Sequence, residues 1–200
     1  MGSTRSQRSK KVRAIMAGGV VLGLGVAATL AAWNSSDFAA GTFGTGNMVL
    51  EGSTNATDFA NHPESSPATL SFGIESLNLA PGESVTAPYA VRLSSDTTVD
   101  ATVVLNTEVS SPNAGLSYTI TQSSTPDCTS GTQTGWVGTR ALATADGVQT
   151  SPLSLSQGAD TAAGAPVNLC FTVSAGAQAD LTPGQTTSVV WEFAATQADN

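Results

Sequence analysis

The sequence predicts an all-β fold, an antiparallel two-sheet sandwich of the jelly-roll kind, preceded by an amino-terminal signal helix. Three observations favour this fold. Apolar and polar residues alternate with a period of two in several segments, clusters of Pro and Gly separate those segments, and Glu, Lys and Arg are sparse. Alternation is typical of sheets with one buried face, whereas the scarcity of helix-forming residues disfavours long amphipathic helices.

Ten segments carry the strand pattern. In chain order they are 46–51, 69–74, 76–79, 84–94, 97–109, 115–122, 136–143, 148–155, 167–175 and 185–196. Val103 and Leu105 share one face of the fifth segment, and Trp191 and Phe193 share one face of the last. The turn clusters between segments include Pro81-Gly82 and Asp146-Gly147, and the latter predicts a tight hairpin. So many short strands without helices predict two packed antiparallel sheets.

The amino terminus has the three parts of a secretory signal peptide. Five basic residues lie within the first thirteen positions, residues 14–32 carry no charge, and Ala31-Ala32 precede Trp33. Small residues suit a signal peptidase, so we expect cleavage between Ala32 and Trp33 and a secreted, extracellular or cell-surface protein. The apolar run is also long enough for retention as a membrane anchor, and this alternative stays open.

Three regions follow from this pattern. Residues 1–32 form the signal peptide, 33–46 an amino-terminal extension and 47–200 the β-sandwich domain. Contact with a membrane is expected only through an uncleaved leader.

The charge of the exported chain excludes one class of function. After residue 32 there are fifteen acidic residues and two basic ones, Arg92 and Arg140, which gives a net charge of −13. Such a surface repels phosphate backbones, so we expect no nucleic-acid partner. The acids are scattered and indicate solubility, while loose binding of divalent cations stays open as an alternative.

The two cysteines and the single histidine limit the chemistry. Cys128 and Cys170 both lie in the exported part, where an even count predicts one disulfide, with free buried thiols as the alternative. His62 is the chain's one histidine and lies in a predicted loop, so we expect no metal site and no cofactor. The sequence therefore predicts no enzyme. A glycosidase that uses two carboxylates brought together by the fold stays open as an alternative.

The extension at 33–46 is unusually aromatic for a chain end. Trp33, Phe38 and Phe43 are spaced five residues apart, and burying each ring is worth about 1.5–3 kcal/mol. Two arrangements bury them. The segment either packs on its own sandwich as an edge strand, or it adds a strand to a neighbouring molecule and so builds an open filament.

Three short stretches resemble a known family of exported proteins. They are 29–50 at the junction, with Gly41-Thr42-Phe43-Gly44, then Asn78-Leu79-Ala80-Pro81-Gly82-Glu83, and finally 191–197, which ends in Phe193-Ala194-Ala195-Thr196-Gln197. In this order they are similar to motifs of the TasA/camelysin family, whose leader is removed by a SipW-type signal peptidase.

The resemblance implies a jelly-roll subunit of extracellular fibres in a biofilm matrix. It further implies self-association in which a donor strand from Trp33 to about Asn47 enters the next subunit, with Phe38 and Phe43 as pocket-filling side chains. The alternative is a monomeric secreted or cell-surface binding module. Such a module would use its loops near 55–67 and 125–135 for recognition.

Overall fold

The computed structural model describes residues 46–73, 79–143 and 151–198, which belong to one compact unit. Eight strands form this unit. They are β1 (Leu50–Ser53), β2 (Ser84–Leu93), β3 (Ala101–Ser110), β4 (Leu116–Ser123), β5 (Gln133–Ala141), β6 (Leu153–Leu155), β7 (Val167–Ala175) and β8 (Ser188–Gln197). One turn of 3-10 helix, Gln178–Asp180, precedes β8. No helix in these ranges has the length and apolar character needed to cross a membrane.

The strands form two antiparallel sheets of unequal size. The larger has the order β1-β2-β7-β4-β5, and the smaller has the order β6-β3-β8. The predicted all-β sandwich with two antiparallel sheets is therefore confirmed. The unequal strand numbers matter for the candidate site, because the smaller sheet cannot cover the whole inner face of the larger one.

Alternating side chains of both sheets build the core. Ala101, Val103 and Leu105 face inward from β3, and Leu169 and Phe171 do so from β7. The register places Phe171 between Ala87 on β2 and Ile120 on β4, and all three are fully buried. The period of two in the sequence therefore identified the inward faces of these strands correctly.

Some predicted strand boundaries were wrong. Residues 69–73 join neither sheet, because Leu70 and Phe72 pack their side chains against the core while their backbone runs as an irregular segment. β1 begins at Leu50 and not at residue 46, and β5 begins at Gln133, three residues before its predicted start. Residues 151 and 152 precede the short strand β6.

Several sequence-based predictions fall outside the described residues. These are the signal helix and the rest of 1–45, the strand residues 74 and 76–78, and the hairpin at Asp146-Gly147 with its flanks 144–150.

The turn predicted at Pro81-Gly82 lies where β2 begins. Gly82 has a φ of 83°, a left-handed conformation that glycine adopts without steric cost. The Glu83 amide donates to the Ala80 carbonyl at 3.0 Å, and the Ala80 amide donates to the Glu83 carboxylate at 2.9 Å. These bonds close the turn and direct the chain into β2.

Candidate functional site

The main cavity of the described domain is an open cleft beside β8, with a volume of about 950 Å³. β8 pairs with β3 along one edge, and no described strand pairs with its other edge. The unpaired edge faces the inner surface of β1 and β2, where Leu50, Gly52 and Tyr89 line the cleft. The cleft thus occupies the place where a further strand of the small sheet would lie.

β8 is the one described strand that contains no fully buried residue. Its inward-facing residues pack against the core but remain partly exposed. They are Val189, Trp191, Phe193 and Ala195. An inward face that stays half-exposed indicates that the described sandwich is incomplete on this side.

Aromatic rings form the floor of the cleft. Trp191 lies 4.9 Å from Phe171 between ring centroids, and Phe193 stacks on Tyr89 at 5.5 Å. Phe72 contacts Trp191 from the opposite wall, at 6.4 Å. Such a floor favours a partner with large apolar side chains, since aromatic pairs add about 0.5–1.5 kcal/mol beyond their area burial.

Gly52 and Tyr89 fit together at one end of this floor. A β-carbon on Gly52 would overlap the Tyr89 hydroxyl, so this strand position admits glycine alone without a rearrangement. Burial raises the pKa of the Tyr89 phenol above its ordinary value, which keeps the group neutral. The glycine therefore sets the position of an aromatic side chain that lines the cleft.

The outer wall is the irregular segment 61–72. The Asn61 side chain donates to the Leu50 carbonyl at 3.0 Å, and the Ser66 amide donates to the Pro63 carbonyl at 2.8 Å. Leu70 and Phe72 anchor the far end of the segment on the core. The predicted loop at 55–67 therefore contributes its second half to the cleft.

The rim of the cleft is acidic. Glu64 lies on the wall, Glu108 on β3 and Glu192 on β8, while the lining residues include His62 but no Lys or Arg. The Asn106 side chain donates to the Glu192 carboxylate at 2.9 Å. The rim would therefore attract a cationic group and repel an anionic one.

One polar atom at the cleft lacks a partner. The indole nitrogen of Trp191 is inaccessible to solvent and forms no hydrogen bond within the described domain. Buried N–H groups normally form a hydrogen bond, so the Trp191 indole indicates that the polar groups of β8 are not all paired within the described domain.

The two predicted cysteines form a disulfide. Cys128 and Cys170 are bonded with their Cα atoms 5.6 Å apart, which fastens the β4–β5 loop to the centre of β7. Such a bond is typical of proteins in oxidising compartments. Ala32, Trp33, Phe38 and Phe43, predicted as cleavage and donor-strand residues, lie outside the described ranges.

The loop that carries Cys128 is held by its own polar groups. The Asp127 carboxylate accepts hydrogen bonds from Ser130, Thr125 and the Thr129 amide, and these bonds hold its pKa well below the usual range. The predicted recognition loop at 125–135 is therefore internally bonded around an exposed carboxylate.

Arg92, one of the two basic residues in the described ranges, has a structural role. Arg92 bonds Glu51 at 2.9 Å and lies 4.0 Å above the Phe59 ring, so it fixes the loop after β1. Within 46–73, 79–143 and 151–198 there is no group of three or more His, Cys, Asp or Glu side chains placed to hold a metal ion.

Sequence reasoning missed the cleft itself. The signal available was the wall segment 61–72, where exposed polar residues are followed by Leu70 and Phe72. From sequence alone this segment is typical of a loop followed by a strand.

The fold and the cleft of the described domain define a class: an all-β sandwich in which no described strand pairs with the β8 edge beside an aromatic cleft. No family model matches the chain, and no curated protein is significantly similar to it in sequence.

Proposed function

We propose that this chain is a secreted structural subunit of extracellular fibres, in which residues 33–46 of one molecule add a strand along β8 of the next. The observation that carries the proposal is the edge of β8 with which no described strand pairs, beside a cleft of about 950 Å³ with an aromatic floor. An added strand would pair with the backbone of β8 and cover Trp191 and Phe193, as in strand addition generally.

The composition of the extension supports this fit. Small residues separate Trp33, Phe38 and Phe43. In an extended strand, side chains five positions apart face opposite sides, so Trp33 and Phe43 share one face and Phe38 takes the other. Either face of the strand therefore presents an aromatic ring to the cleft floor, with small residues beside that ring.

The exit point of the extension supports donation to a neighbour over self-packing. Asn47 exchanges hydrogen bonds with Thr98, just before β3 begins and beside the carboxyl end of β8. A segment running back from there into its own cleft would lie parallel to β8. A segment from another molecule is free to pair antiparallel, which is the slightly more stable geometry.

Export and processing complete the proposal. We place the subunit outside the cytoplasm after a SipW-type signal peptidase has cleaved between Ala32 and Trp33. Until then the leader keeps the extension attached to the membrane. The disulfide supports an oxidising location.

The test compares chain 33–200 with chain 44–200. The longer form should give high-mass species that grow with concentration in sedimentation velocity and fibres in electron micrographs, whereas the shorter form should stay monomeric. A monomeric 33–200 chain at all concentrations would exclude the proposal.

A second experiment locates the acceptor. Chain 44–200 contains only Trp136 and Trp191, so a peptide of residues 33–46 carrying Trp33→Phe should shift the emission of Trp191 to shorter wavelength. The shift should vanish in Trp191→Phe. As a matched pair, Val190→Lys on the β8 rim should block the peptide, while Thr139→Lys on exposed β5 should not. Loss of the shift in both lysine variants would contradict this location.

The second candidate function is a monomeric binding module. The observation that favours it is that residues 61–67, part of a predicted recognition loop, form a wall of the cleft. Such a module would bind a separate ligand there and remain monomeric with residues 33–46 intact.

A further inference from the structure

The length of the cleft and the length of the extension together indicate which end of the extension enters the cleft. The cleft runs along β8 from Ser188 to Phe193, six residues or roughly 20 Å of strand. Residues 33–45 span roughly 43 Å when extended. If 33–38 fill the cleft, seven residues remain to reach the parent domain. If 40–45 fill it, none remains, and Gly46 would have to lie at the neighbour's cleft although the next residue, Asn47, donates its amide to the Thr98 hydroxyl of its own domain.

Cleavage changes the charge of the amino end. Among the described residues that line the cleft, Glu64, Glu108 and Glu192 are acidic and none is Lys or Arg. Segment 33–38 contains Asp37, the one charged side chain of the extension, and before cleavage the rim would repel it. Its one cationic group is the α-amino group of Trp33, which exists only after cleavage and is protonated at pH 7 because its pKa is near 8.

We infer that the cleft receives the free amino end of a second copy of the mature chain, with the Trp33 ring on the aromatic floor and its α-ammonium group among Glu64, Glu108 and Glu192. This inference rests on the proposed fibre function and adds the chemistry of the recognised group. Cleavage then does more than release the segment, because it creates the cation that the acidic rim binds. An uncleaved chain presents a neutral amide at this position.

The experiment uses three forms of chain 33–200: a free Trp33 terminus, an acetylated Trp33, and one extra glycine before Trp33. The critical concentration for polymerisation is measured by sedimentation at pH 7 in low salt. Acetylation should raise it about five- to tenfold, the range expected for loss of an ion pair in a partly enclosed site. The glycine form adds similar bulk but keeps the charge, so it should lie closer to the free form.

A charge-neutral rim supplies the decisive control. In Glu64→Gln/Glu108→Gln/Glu192→Gln, acetylation should change the critical concentration less than twofold, because its partner charges are gone. Asp160→Asn removes one exposed charge outside the cleft, and asparagine suits the φ of 54° there, so the acetylation effect should persist.

The outcomes separate the two proposals. Polymerisation of all three forms at one critical concentration would overturn the recognition of the ammonium group and leave the fibre function standing. An acetylation effect of equal size in the rim variant and the unaltered chain would overturn it as well. A free-terminus chain that never polymerises would overturn both.

Discussion

The two tryptophans of the sandwich lie on flanks that differ in how completely the described chain covers them. Trp136 on β5 marks the closed flank, and Trp191 on β8, beside the cleft, marks the open flank. Trp136 on β5 is 2% exposed, and its indole N–H donates to the Ser151 carbonyl at 2.9 Å. Trp191 on β8 is partly exposed, and its indole nitrogen has no hydrogen-bond partner in the described domain. Both rings pack against the same aromatic cluster. In the described domain, one flank therefore completes its core with its own chain, while the other leaves aromatic surface partly exposed.

The largest expected effect tests this contrast directly. In chain 44–200, Trp136→Ala should lower the free energy of unfolding by about 3–5 kcal/mol, the usual cost of deleting a fully buried aromatic ring. Trp191→Ala should cost about 1–2 kcal/mol, because part of its surface is already exposed. Denaturant titration measures both losses, and equal values would remove the distinction between the flanks.

The disulfide tests the closed flank next. Cys128→Ser together with Cys170→Ala should lower the free energy of unfolding by about 3–4 kcal/mol, because the bond closes a loop across a separation of 42 residues. The cleft lies elsewhere, so the folded variant should bind the 33–46 peptide with unchanged affinity. Weaker binding by the folded variant would show that the flanks are coupled.

Alanine substitutions at Gly52 and Gly135 compare the two flanks by adding one methyl group to each. Gly52→Ala should cost about 1–3 kcal/mol and weaken peptide binding, because the added methyl group displaces the Tyr89 hydroxyl. Gly135→Ala on β5 meets no atom within 4 Å and should be neutral or slightly stabilising. Thermal unfolding and peptide titration measure both effects. A neutral Gly52→Ala would show that Tyr89 moves aside freely.

The smallest expected effect concerns the stability of the domain at acidic pH. The bonds from Ser130 and Thr125 depress the folded pKa of Asp127 below its unfolded value near 3.9. The stability it contributes is therefore present above about pH 4 and is lost as the pH falls through the lower folded pKa. Asp127→Asn should flatten the fall of the melting temperature between about pH 4 and pH 2, whereas Asp160→Asn should leave that fall unchanged.

The fold was predictable where one physical rule acts alone. The alternation along β3, β7 and β8 depends on one buried face for each strand, so sequence identified Leu105, Phe171 and Phe193 as inward. The Cys128–Cys170 bond followed from the even number of cysteines and from the predicted oxidising compartment. These features require no knowledge of which strands become neighbours.

The remaining features depend on tertiary context. Thr107 interrupts the apolar face of β3 because its hydroxyl bonds the buried Tyr118 hydroxyl at 2.9 Å. Trp136 and Val137 are adjacent yet both buried, because the pairing of β5 with β4 shifts by one residue there. The cleft depends on β8 becoming an edge strand among the described strands, which follows from sheet order and not from its own residues.

The irregular pairing of β5 has a consequence for growth. Its two register shifts bend the outermost strand of the large sheet, and bulged edges are poor templates for further pairing. In the proposed fibre, which gives each subunit one donor and one acceptor, β5 therefore adds no second acceptor, and the valency is two. Such an assembly lengthens as an unbranched line with distinct ends, and its two ends should elongate at different rates.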